Sequence, residues 1–124
     1  MKEILVRRLK ELIPSDKEVI YVCIGTPRVL ADSFAPLFGS LIKQRDLDIE
    51  VYGDLYDSVN ALNVDCINKM LPKDKYVVAV DSCISTKITT PRGELTIEKG
   101  SIKPGSGVGK DLMSIGDVSI KGIT

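Results

Sequence analysis

Two aspartates stand where a folded chain could use them as a pair. Asp81 closes the apolar run Tyr76-Val77-Val78-Ala79-Val80, and Asp32 follows the break after an earlier apolar run, Val19 to Ile24. Two carboxyl groups in one site do not both ionise easily, so one keeps its proton towards neutral pH. The charged one can then activate water while the protonated one donates to a carbonyl oxygen, as in aspartic proteases. The same pair could instead bind a cation, or only cap and buttress loops. Asp32 stands where a helix N-cap would, directly before the pattern Phe34, Leu37, Phe38, Leu41, Ile42.

Other chemistries are poorly served. The chain has no histidine, which removes Ser-His-Asp and Cys-His catalysis and the usual histidine-containing zinc sites. Its cysteines, Cys23, Cys66 and Cys83, are odd in number and form no C-x-x-C pair, so buried thiols in a reducing compartment are expected. Cys83 beside Ser82 could be a nucleophile, but a base would have to come from Lys87 or Lys110. The glycine-rich stretch Gly105-Ser106-Gly107-Val108-Gly109-Lys110 fails as a phosphate loop. Pro104 and Asp111 occupy the positions that need glycine and Ser or Thr. A tight loop lining a crevice is the better expectation.

The elements that must position the two acids follow from hydrophobic period. Leu5, Leu9 and Leu12 give a packing helix over 2–13, ended by Pro14. Val19 to Ile24 and Tyr76 to Val80 read as strands buried on both faces of a parallel sheet. Asp48 to Tyr52 is a shorter strand, and Val59, Leu62, Cys66, Ile67 and Met70 trace another helix. This β-α-β-α-β order predicts an α/β fold with helices on the sheet's faces. Such sheets bind ligands at the carboxyl ends of their strands, where Asp81 lies. Thr86 to Thr90 and Glu94 to Glu98 flank Pro91-Arg92-Gly93 as a β-hairpin, and Asp117 to Ile120 closes the sheet.

Residues 1–124 with 44% apolar content make one domain with one core. The 17 basic and 17 acidic residues cancel, so no nucleic-acid or anionic-membrane partner is expected. No apolar stretch reaches the roughly 20 residues needed to span a bilayer. The charged N-terminus is not a signal peptide, so a cytoplasmic location is expected.

The residues from Ile24 to Gly39, including Gly25-Thr26-Pro27-Arg28 and Asp32-Ser33-Phe34-Ala35-Pro36, resemble the signature of the YyaC-type sporulation proteins of Firmicutes. Val51 to Leu55, Ala79 to Cys83, Lys103 to Lys110 and Val118 to Ile123 extend the resemblance in the same order. That family is similar to the spore germination protease and, more distantly, to hydrogenase maturation proteases. The resemblance implies a three-layer αβα sandwich of the phosphorylase/hydrolase-like kind. It also implies a peptidase with Asp32 and Asp81 as catalytic residues and no metal or other cofactor. Gly25, Thr26, Arg28, Ser82 and the loop residues Gly105, Gly107, Gly109 and Lys110 would bind substrate, Arg28 or Lys110 attracting an acidic peptide. The substrate would be a protein or peptide, small acid-soluble spore proteins being the expected class, within the spore or forespore. Ala31 and Ala35 stand where the family has glycines, which predicts a narrower crevice floor. They make a non-enzymatic sporulation binding module the alternative, with metal-dependent hydrolysis a third reading.

Overall fold

A computed structural model describes residues 2–45, 48–83, 93–103 and 113–123. The elements are α1 (Lys2–Leu12), β1 (Val19–Cys23), a 3-10 turn (Leu30–Asp32), α2 (Phe34–Arg45), β2 (Glu50–Tyr52), α3 (Val64–Met70), β3 (Tyr76–Cys83), β4 (Leu95–Lys99) and β5 (Val118–Ile123). The strands form one sheet in the order β2-β1-β3-β5-β4. The first four run parallel, and β4 pairs antiparallel with β5. The fold is thus α/β with a mostly parallel sheet and an antiparallel pair at its C-terminal end.

Strand alternation sorts the core into two clusters. Ile20, Val22, Val77 and Ala79 face one side, where Val64 and Ile67 of α3 cover them. Tyr21, Cys23, Val78, Val80, Val118 and Ile120 face the other, against Leu9 and Leu12 of α1 and Phe34, Ala35 and Phe38 of α2. A strand covered on both faces has no polar side, which is why β3 begins as an unbroken apolar run. Among the described residues no helix is long and apolar enough to cross a membrane.

The sheet-facing side of α2 differs from the sequence expectation. Leu37 and Leu41 are exposed, and Phe34, Ala35, Phe38 and Gly39 face inward. Small residues here let the helix approach closely: a Cβ on Gly39 would strike the Gly53 carbonyl. The next helix starts at Val64, not at Val59. Val59 is buried and bridges Ile24, because the intervening backbone is captured in turns by side chains. The N–H of Asn60 donates to Asn63 Oδ1 (2.8 Å), that of Leu62 to Asn60 Oδ1 (2.9 Å), and Asn63 Nδ2 to the Ser58 carbonyl (2.9 Å).

β2 is shorter than expected, whereas β3 and β5 are longer. Pairing continues past Asp81, through Asp81–Lys121, Ser82–Gly122 and Cys83–Ile123. Asp81 therefore lies inside a strand, not after it. Of the three cysteines only Cys23 is buried, and Cys66 and Cys83 are exposed. Burial pushes the Cys23 thiol up to about 12, which leaves it inert. The first strand of the expected hairpin, 86–90, and its turn residues 91–92 lie outside the described residues, as does the glycine-rich stretch 105–110.

Candidate active site

The chain leaves β1 for β2 on one side, then returns across to β3 on the other. Adjacent parallel strands joined in this way open a crevice beyond their carboxyl ends, at the switch in direction. Here β1 and β3 pair in register from Val19–Tyr76 to Cys23–Val80. The N–H of Ile24 donates to the Val80 carbonyl (2.8 Å), and the N–H of Gly25 to the Val59 carbonyl (2.8 Å). The segment after β1 is thereby held over the end of β3.

A short closed loop then brings Asp32 back to the same point. The N–H of Thr26 lies 3.1 Å from both the Asp32 carbonyl and Asp32 Oδ2. Gly25 makes this approach possible, since a Cβ there would run into the Asp32 carbonyl oxygen. The far side of the loop is a 3-10 turn, with the N–H of Asp32 donating to the Val29 carbonyl (2.9 Å) and Ser33 Oγ to the Leu30 carbonyl (2.7 Å). Ser33 separates Asp32 from α2. Asp32 therefore does not cap the helix, and its carboxylate turns to the sheet instead.

Ser82 links the two acids. Its hydroxyl donates to Asp32 Oδ1 (3.1 Å), and its N–H donates to Asp81 Oδ1 (2.8 Å). Alternation along β3 explains the division. Ser82 projects on the face of Val78 and Val80, where Asp32 arrives ahead of α2, whereas Asp81 projects with Val77 and Ala79. Burial pushes the Asp81 carboxyl up to about 7. The Ser82 N–H pulls against that rise, the Asp32 carboxylate adds to it, and Lys121 opposes it. Asp32 accepts two hydrogen bonds on its carboxyl oxygens, from the Thr26 N–H and the Ser82 hydroxyl.

With its carboxyl pushed up to about 7, Asp81 can hold a proton near neutral pH. The whole chain, residues 1–124, matches the family described as "Protein of unknown function (DUF1256)". The chain belongs to that family. It is also 44% identical, over 111 residues, to the "Uncharacterized protein YyaC" of Bacillus subtilis (strain 168). That alignment covers 86% of this chain and 53% of the relative, so the chain spans about half the relative's length. No solved structure matches. The YyaC-type kinship expected from the Ile24 to Gly39 segment is therefore established for this DUF1256 member.

The other expected site residues divide into three groups. Gly25, Thr26 and Ser82 lie with Asp32 and Asp81 at the carboxyl ends of β1 and β3. Arg28 is exposed, and its backbone N–H donates to Thr26 Oγ1 (3.3 Å). Gly105, Gly107, Gly109 and Lys110 lie outside the described residues. Sequence reasoning overlooked Lys121, the register partner of Asp81 on β5. Only the pairing of two strands distant in sequence identifies it; alternation within Val118 to Ile123 marks its face and nothing more.

Proposed function

We propose that this protein is a peptidase of the germination-protease type, cutting protein substrates in spore-forming cells with Asp32 as base and Asp81 as acid. The carrying observation is the contrast at Ser82, whose hydroxyl serves Asp32 while Asp81, with one N–H donor among the described residues, is pushed up to about 7. In this reading water sits between the acids. Asp32 takes a proton from it as the hydroxyl oxygen bonds to the scissile carbonyl carbon, and Asp81 delivers its proton to the carbonyl oxygen. The resulting gem-diol collapses with cleavage of the C–N bond. The leaving nitrogen takes the proton from Asp32, and a diol hydroxyl returns one to Asp81.

Helices against both sheet faces are in keeping with a three-layer sandwich of the phosphorylase/hydrolase-like kind. The two alanines that pointed to a non-enzymatic module do not obstruct this reading. Ala35 is fully buried among Cys23, Val78 and Val80, and Ala31 is exposed on the 3-10 turn.

The test is to offer small acid-soluble spore proteins, and a mixed set of unstructured peptides, to the wild type, Asp32→Asn and Asp81→Asn between about pH 4 and 8. Cleavage by the wild type should fall as pH rises through about 7, where Asp81 loses its proton. Each variant should lose about 10²–10⁴-fold. No cleavage by the wild type, or equal cleavage by the variants, would leave the binding module as the better account.

A further inference from the structure

β5 is buried at five of its six positions, and the exception is Lys121, half-buried opposite Asp81. A lysine inside such a strand is costly unless its charge has a use. Register partners on adjacent parallel strands project from the same face, and the strands lie about 4.8 Å apart. Lys121 therefore projects from the same face as Asp81, one strand away, and its charge acts on the Asp81 carboxyl. The described residues include ion pairs for Lys43 and Lys75, to Asp54 and to Glu18 and Glu50, but no salt bridge to Lys121. On its other side the register partner is Thr96 of β4, which is uncharged.

We propose that Lys121 is a positioning residue of the Asp32–Asp81 site, set to receive the negative charge that Asp81 acquires on delivering its proton. This rests on the reading of Asp81 as the proton donor. In the addition step Asp32 gains a proton and Asp81 loses one, so the net charge of the pair is unchanged. The negative charge moves from Asp32 to Asp81, which is towards Lys121. Attraction to a fixed cation on that side favours the transfer in the productive direction. The charged groups acting on Asp81 are Asp32, from the segment after β1, and Lys121, from β5. β1 itself (Val19–Cys23) carries no charged side chain at neutral pH.

The experiment is a ¹³C-carboxyl NMR titration of Asp81 in the full chain, comparing the wild type with Lys121→Met, Lys121→Gln and Lys121→Arg. Met and Gln keep the length of the stem and remove the charge. Their Asp81 midpoints should lie about one pH unit above the wild-type value, and Arg should return it to the wild-type value. An unchanged midpoint in both Met and Gln, or an Arg variant that shifts as far as Met does, would overturn the proposal. Titration needs no substrate, so its outcome is separate from that of the cleavage assay. Wild type that cuts nothing would remove the peptidase reading while a Lys121-dependent midpoint still stood. Where cleavage is observed, the alkaline limb of the Met and Gln pH profiles should move up with the midpoint.

Discussion

Two carboxylates at the same edge of the sheet are treated in opposite ways. Asp54, just past β2, is 7% exposed, and Asp81, near the end of β3, is half-buried. Asp54 Oδ1 accepts the N–H groups of Tyr56 (2.8 Å) and Asp57 (2.7 Å), and Oδ2 accepts from Lys43 Nζ. Burial alone would raise the Asp54 carboxyl. The Lys43 ammonium and the two N–H groups outweigh it and hold the carboxyl below its usual range. Among the described residues Asp81 accepts one hydrogen bond, from the N–H of Ser82, with a second carboxylate nearby, and it goes up. An acid fully supplied with donors clamps a loop and has no proton to trade. An acid left short of them is poised to exchange one.

The comparison breaks most visibly in activity. Once folded, Asp54→Asn should retain cleavage within about tenfold, whereas Asp81→Asn should lose about 10²–10⁴-fold, measured as initial rates on the same peptide. If the two losses are equal, the division between clamp and proton donor is wrong.

Stability should respond with opposite signs. Asp81 titrates higher in the folded chain than in the unfolded one. Between about pH 4 and 7 the folded state keeps a proton that the unfolded state has lost, so stability falls as pH rises through that window and levels off above it. Asp81→Asn removes this decline and should stabilise the chain by roughly 2–4 kcal/mol near pH 8, read from urea unfolding. Asp54 has the reverse linkage. Its contribution is present above the unfolded carboxylate value and is lost as pH falls through the lower folded one. Asp54→Asn should cost about 1–3 kcal/mol near neutrality, a figure discounted because Lys43 is partly exposed.

The smallest effect belongs to the link between the acids. Ser82→Ala removes the hydroxyl bond to Asp32 and should cost about 1 kcal/mol of stability, with a loss of activity of about tenfold. Because the backbone N–H stays, the Asp81 midpoint should remain near 7. A Ser82→Ala midpoint that drops to ordinary carboxylate values would mean that the hydroxyl, not burial, sets Asp81.

What could be read from the chain alone followed from local period and from side-chain chemistry. The valines of Tyr76 to Val80 announced a strand covered on both faces, and Asp81 after them announced the crevice edge. The alternation of strands and helices gave the parallel core. Features that depend on long-range pairing were hidden. The continuation of β3 to Cys83 and the placing of Lys121 opposite Asp81 arise from β5, whose paired residues lie forty positions further along the chain. Asp32 looked like a helix cap because the bond from Thr26 that draws its carboxylate away spans a loop, leaving no periodic trace. The late start of α3 was concealed in the same way, since the Asn60 and Asn63 side chains bind backbone in turns within an otherwise helical apolar pattern.

The account rests on Asp81 holding its proton near neutral pH while its counterpart at the end of β2 does not. A ¹³C-carboxyl titration of the wild-type chain reads both groups in one sample. The prediction is an Asp81 midpoint at about 7, with Asp54 below the ordinary carboxylate range. An Asp81 that titrates alongside the surface carboxylates, near about pH 4, would contradict it.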